Sequence, residues 1–308
     1  MAEFEEVSNE EKLQIAQHFL LSSPPGQFHE ILTDVKKLLP DDLLTEQLAT
    51  GIAHSYNVKT CKVVTAPSGC KTVLCPASEI DATHYIDPTT GTPFGIDHLT
   101  LISTTAADDE CTVPSSSPNL EHRRVQLQEA IKLYLTEAYP SEDSGAAVCI
   151  QHGKLVVTMT GERTNLRNFW SGRITSTWTI ESSSSTAAEG QIIDLSSLSL
   201  TESNKIDVAV VGDMKIHAHY FEDGNVQLQS NKHFPSKNVT ILHPESDFGS
   251  TIVSHIRACE TTLEQGLSDM YLNMNEETFR QMRRLMPVTR NKMEWNINAI
   301  KMVRQIRK

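Results

Sequence analysis

Ile252, Ile256, Cys259, Leu263, Leu267, Met270 and Met274 recur every three or four residues, and Phe279 and Met282 continue the pattern. That period lays one unbroken apolar stripe along a helix. Ser250 or Ser254 can cap its start and Pro287 stops it, so the spacing predicts a single helix over 250–287. At 1.5 Å per residue it would be roughly 50 Å long. Outside a coiled coil, so long a stripe needs a broad surface to lie on. The strands that can be counted upstream are too few to supply one, which implies a sheet continued by a second subunit.

The upstream residues do read as a sheet. Ala147–Ile150 and Leu155–Thr160 flank His152-Gly153, a hairpin signal, and Trp170-Ser171-Gly172 leads into Ile174–Ile180. Met214, Ile216, Ala218 and Tyr220 alternate with Lys215, His217, His219 and Phe221. Glu222-Asp223-Gly224-Asn225 then returns the chain into Val226 and Leu228, and Asp-Gly between alternating runs is the strongest short-range hairpin signal. Val239–Leu242 predicts a further edge strand. Ser182–Ser203, rich in serine and threonine, reads as a partly flexible insertion.

Ahead of the sheet, a stripe of Leu127, Ile131, Tyr134 and Ala138 predicts a helix over 120–139. Residues 58–100 hold short beta-prone pieces broken by Pro67-Ser68-Gly69, Asp87-Pro88 and Thr90-Gly91-Thr92-Pro93, and Asp108–Pro118 reads as a surface loop. At the start, Ser8 and Glu11 form a capping box before the apolar positions Leu13, Ala16, Phe19 and Leu20. A second stripe (Phe28, Ile31, Val35, Leu38) and a third helix over 43–55 complete an antiparallel helical cluster. The predicted class is α+β. It comprises a helical stalk (1–57), a small irregular beta module and loop (58–119), and a helix with an antiparallel sheet (120–249) carrying an insertion near 182–203. The long helix (250–287) and a short basic amphipathic arm (288–308) follow.

Charge separates that arm from the rest. Arg280, Arg283, Arg284, Arg290, Lys292, Lys301, Arg304, Arg307 and Lys308 face one acid, Glu294. The segment 280–308 therefore carries +8 and leaves −20 on the remainder of a chain whose net charge is −12. An acidic body with a basic tip suits a tip that meets an acidic partner, and argues against a body that wraps nucleic acid. Within the tip, Trp295, Ala299, Met302 and Ile306 share one helical face with Val303 beside it, and Met293, Ile297 and Ile300 begin another. Such a helix can dock on its own core, on calmodulin-like or membrane surfaces, or in a partner's groove. Its place behind a proline break favours an arm.

Signatures of chemistry are missing. There is no glycine-rich phosphate loop, no Gly-x-Ser-x-Gly, no His-Glu-x-x-His and no Cys-x-x-Cys. Six cysteines in 308 residues, without a secretory signal, read as reduced thiols and not as a metal or disulfide framework. His217 and His219 share a strand face but have no Asp or Cys at ligand spacing. Arg163, Arg167 and Arg173 around Phe169-Trp170 could mimic a base-stacking surface, a reading the acidic body opposes. No apolar run approaches the ~18 residues of a membrane span. An enzyme, a cofactor, a metal and a transmembrane segment are not expected.

Three longer stretches carry a resemblance. Leu166–Arg173 (LRNFWSGR), His219–Leu228 (HYFEDGNVQL) and Thr278–Arg290 (TFRQMRRLMPVTR) resemble, in order, hallmark segments of the F-actin-capping protein alpha subunits. Pro24-Pro25-Gly26 with Phe28, Tyr85-Ile86-Asp87-Pro88 and Asp97-His98 add to the likeness, which spans nearly the whole chain. The resemblance implies an intertwined heterodimer with a capping protein beta subunit, the two sheets joined into one. It implies calcium-independent steric capping of the filament barbed end, in the cytoplasm and its cytoskeleton. Carried over by motif, the basic patch for actin and for competing acidic phosphoinositides falls on Arg280, Arg284 and Arg290, with Lys292 nearby; Arg280 stands where vertebrate members have a lysine. Arm burial falls on Trp295, Ile297, Ala299, Ile300, Met302, Val303 and Ile306. Regulators carrying capping-interaction motifs are implied as further partners. The Ser182–Ser203 segment is longer than the family's usual connection, and the arm ends slightly early.

Overall fold

The computed structural model describes residues 7–24, 26–40, 42–105, 117–165, 170–182, 205–220 and 226–273. The Ser8 hydroxyl accepts the Glu11 amide at 3.3 Å while the Glu11 carboxylate accepts the Ser8 amide at 3.0 Å. This closed capping box starts α1 (Asn9–Leu21). With α2 (Phe28–Leu38) and α3 (Glu46–Lys59) it forms a stalk whose core is Ala16, Leu20, Phe28, Leu32, Val35, Ala53 and Tyr56. Phe28 packs against the Tyr56 ring at 4.7 Å, and the Tyr56 hydroxyl donates to the Pro24 carbonyl at 3.0 Å. Two positions assigned to the buried stripes point outward instead: Phe19 is 58% and Leu38 84% exposed. Three short helices enclose only a narrow core, so these outer apolar positions are left uncovered by the described residues.

The beta module holds a two-stranded ribbon, β1 (Val63–Thr65) with β2 (Lys71–Val73). It also holds a three-stranded sheet, β3 (His84–Ile86), β4 (Pro93–Ile96) and β5 (Ser103–Thr105). A histidine pair fastens it to the stalk. His98 Nε2 lies 2.9 Å from the Ala82 carbonyl, so this nitrogen carries the proton and donates. Its Nδ1 accepts from the Asn57 side-chain amide at 3.3 Å. The His54 ring meets the His98 ring edge-on at 4.8 Å, while His54 Nε2 reaches Glu79 at 2.9 Å. Burial first, and the neighbouring His54 next, hold His98 below its ordinary value of 6.5 against the opposing pull of the Ala82 carbonyl, Glu79 and Asp97. Because the folded state disfavours the extra proton, its stability is complete above pH 6.5 and declines as pH falls towards the lowered folded value. The thermal midpoint should therefore drop between neutral and mildly acidic pH. The slope should flatten in His98→Gln, and an unchanged slope in that variant would assign the effect to other groups.

After α4 (Pro118–Ala138), started by a Ser117 cap, five strands form one antiparallel sheet in the order β10-β9-β8-β7-β6. They are β6 (Gly145–Gln151), β7 (Lys154–Asn165), β8 (Trp170–Ser182), β9 (Ile206–Tyr220) and β10 (Val226–Ile241). His152 and Gly153 join β6 to β7 with φ of +50° and +74°, the paired left-handed residues that a two-residue hairpin turn requires. The segment from Val239 is not a separate strand. It continues β10, whose pairing with β9 shifts register between Phe234 and Lys237. Pro235 lies inside that shift; having no N–H for the ladder, it is accommodated by the irregularity.

Period two gives the sheet two different faces. Leu155, Val157, Met159, Ile174, Trp178, Ile180, Val208, Val210, Met214 and Ile216 face the helices and form the main core. Gly212 sits opposite Trp178, and a Cβ there would lie 2.2 Å from the indole ring. The last helix, α5 (Pro244–Asn273), starts six residues ahead of Ser250. Proline suits a first helical turn, where its missing N–H costs nothing, and Phe248 and Ile252 are then buried at once. Positions 274–287 of the predicted long helix lie outside the described residues.

Candidate partner-binding surfaces

α4 and α5 lie side by side on the apolar face, running in the same direction. Gly249 permits their close approach, since a Cβ there would stand 2.6 Å from the Gln126 carbonyl oxygen. Further along, Arg257 pairs with Glu137 at 2.5 Å, and the Tyr139 hydroxyl donates to Glu260 at 2.7 Å. The Tyr134 hydroxyl donates to the same carboxylate oxygen. α4 ends at that level, so Thr261–Asn273 runs on without it for about 20 Å. Leu267 still packs into the core, whereas Met270 and Leu272 are solvent-exposed. This is the end of α5 from which the basic segment departs.

Arg280, Arg284, Arg290, Lys292, Trp295, Ile297, Ala299, Ile300, Met302, Val303 and Ile306 all lie outside the described residues. What the structure describes is the platform they follow. Of the three arginines considered for base stacking, Arg173 is buried on the sheet face away from α5. Its Nε donates to Thr160 Oγ1 at 3.2 Å, and Glu162 lies 3.9 Å from it. It is tied into the sheet, not presented to a base. His217 is half-buried on that same face, and no cluster of three or more metal-ligating side chains occurs among the described residues. Cys61, Cys75 and Cys149 are buried where the β1–β2 ribbon packs on β6 and β7, and all are free thiols. Burial pushes the Cys61 thiol up to about 12, so at neutral pH it is a neutral packing group.

A strand edge and several apolar side chains are left uncovered by the described residues. Among the described residues β10 pairs with β9 alone, and most of its second half is exposed. On the stalk, Ile15 and Phe19 stand one turn apart on α1 at 51% and 58% exposure, and Leu38 on α2 and Leu48 on α3 are exposed as well. The stalk surface was not foreseen. Its signal was the second apolar row on α1, Ile15 and Phe19 at i and i+4, beside the row that packs inward.

The sequence profile of the F-actin capping protein alpha subunit family matches residues 16–305. The chain is 31% identical to the F-actin-capping protein subunit alpha of Arabidopsis thaliana, over 98% of this chain and 94% of that one. It is 30% identical to the corresponding subunit of Dictyostelium discoideum, over 94% of both. In fold it is similar to the homodimeric actin capping protein alpha subunit of Plasmodium berghei, with a TM-score of 0.66 at 21% identity, over 91% of this chain and 98% of that one. With nearly its whole length matched by the profile and by full-length relatives, the chain belongs to the F-actin capping protein alpha subunit family.

Proposed function

We propose that this chain pairs with a capping protein beta subunit and that the pair binds the barbed end of the actin filament, stopping subunit addition and loss. The observation that carries this reading is the family match across 16–305, which includes most of the basic segment. The β10 edge, unpaired among the described residues, and the exposed apolar positions of the stalk support a two-chain assembly. A strand added at β10 would continue the sheet, and helices laid on Ile15, Phe19 and Leu38 would remove them from water.

Capping of this kind is steric. No bond is made or broken, no cofactor or calcium is needed, and the work is done in the cytoplasm and its cytoskeleton. Arg280, Arg284, Arg290 and Lys292 supply charge-assisted bonds to the acidic surface of actin. Trp295, Ile297, Ala299, Ile300, Met302, Val303 and Ile306 supply apolar burial. Acidic phosphoinositides compete for Arg280, Arg284 and Arg290, and proteins with capping-interaction motifs act as regulators.

The test is barbed-end elongation from actin seeds, with the chain alone and with its beta subunit, at two salt concentrations. The pair should stop growth. Deleting 291–308 should weaken it by at least about 100-fold, ~2.8 kcal/mol, less than two fully buried large apolar side chains contribute. Neutralising Arg280, Arg284 and Arg290 together should weaken it and reduce its salt dependence. A clean heterodimer that leaves elongation at the uninhibited rate would reduce the protein to a scaffold. Capping by the chain alone would instead point to self-pairing, the assembly reported for the Plasmodium berghei protein.

A further inference from the structure

The two edges of the five-stranded sheet are treated in opposite ways. Among the described residues β10 pairs on one side only. β6 is the other edge, yet its outward backbone is occupied in the middle of the strand. The Val148 amide donates to Gln128 Oε1 at 3.0 Å, and the Val148 carbonyl accepts from Arg124 Nη1 at 3.4 Å. Both side chains come from α4, and both are more than nine-tenths buried. Arg124 is itself held, by Glu121 at 2.7 Å and by the Pro88 carbonyl. One residue of the edge thus has both its strand-pairing groups satisfied by side chains, at positions no incoming strand could share.

Nearby ties hold the same edge. Gln151 Nε2 donates to the Pro76 carbonyl at 3.1 Å, and Lys71 Nζ donates to the Glu142 carbonyl at 2.7 Å, just ahead of β6. A buried arginine is costly unless its bonds are met, and Arg124 meets its own with Glu121, the Pro88 carbonyl and the edge strand, while Gln128 one turn on serves the same edge. The target they share is Val148.

We propose that Arg124 and Gln128 are a stop for sheet growth: they close the β6 edge, so an assembly that extends the sheet through β10 ends at two chains. An opened β6 edge would take the β6 edge of a second copy of this chain. The consequence for assembly rests on the two-chain reading above; the closure itself does not.

The test is sedimentation equilibrium of the full-length chain as purified with its partner subunit. Arg124→Met with Gln128→Leu keeps the volume and removes both caps. Its weight-average mass should rise with concentration to twice the wild-type mass. Gln128→Glu retains an acceptor for the Val148 amide and should keep the wild-type mass. A folded double variant that stays at the wild-type mass overturns the proposal. If the double variant does not fold, hydrogen exchange in the wild type decides. The Val148 amide should exchange only with global unfolding, and exchange as fast as at the exposed turn residue His152 would overturn the closure. A wild-type mass of one chain would reject the two-chain reading without touching this comparison.

Discussion

Trp178→Ala, which removes the largest fully buried side chain among the described residues, should cost about 3–5 kcal/mol of stability. Trp178 is fully buried at the centre of β8. Its ring stacks on Phe234 of β10 at 5.4 Å, and His255 of α5 meets its edge at 6.3 Å. On the strand between β8 and β10, Gly212 leaves room for the ring to lie flat over the backbone. One side chain therefore joins three strands and the overlying helix, and alanine would leave a cavity that none of them can close without shifting. Gly212→Ala attacks the same arrangement from beneath. Its Cβ would meet the ring at 2.2 Å, so the indole must move, at a cost of about 1–3 kcal/mol. The two losses should not add. Once Trp178 is alanine the methyl at position 212 falls into empty space, and the second substitution should be neutral or favourable. Urea unfolding of the four members of the cycle checks this at one protein concentration, since the midpoint of any assembly moves with concentration. Simple additivity would show that the contact is not what holds the sheet's centre.

The second large effect is expected at the crossing of α4 and α5. Glu260 is 1% exposed, and one of its carboxylate oxygens accepts the hydroxyls of both Tyr134 and Tyr139. A buried carboxyl oxygen left without its donors costs about 1–3 kcal/mol. Tyr134→Phe together with Tyr139→Phe keeps both rings but withdraws these two hydroxyl donors from Glu260. The pair should destabilise by about that amount, measured by the same unfolding experiment. Adding Glu260→Leu removes the buried acceptor those hydroxyls served and should restore part of the loss. If the triple variant is no more stable than the double, the tyrosines contribute through packing and not through the carboxylate.

Much of the architecture was legible because its determinants are local. The capping box at Ser8 and Glu11, the His152-Gly153 turn, the stripe of Leu127, Ile131 and Tyr134, and the period-two run before Tyr220 each concern residues within a turn or two of one another. Backbone preference and hydrophobic period are sufficient there. The same locality explains the errors. A stripe shows that a helix has an apolar side but not how much neighbouring structure covers it, so Phe19 and Leu38 were placed in a core too small to hold them. Alternation identified Val239 as strand but could not show that β10 absorbs Pro235 in a register shift and continues as one strand.

The candidate site divides the same way. The basic run from Arg280 to Lys308 and its apolar stripes are visible in the order of residues alone, because charge and helical period are properties of one segment. The stalk's outward row, the open edge of β10 and the closed edge of β6 are not. Gln128 meets Val148 twenty residues away, Gly212 meets Trp178 thirty-four away, and Glu260 meets Tyr134 across 126. None of these pairings has a local signature. Each exists only once strand register and helix placement have brought distant positions within bonding distance. By itself the sequence determined the segments, their apolar sides and the charge of the tip; the tertiary structure alone decided which edges are closed and which surfaces remain for a partner, since that depends on which distant groups satisfy one another.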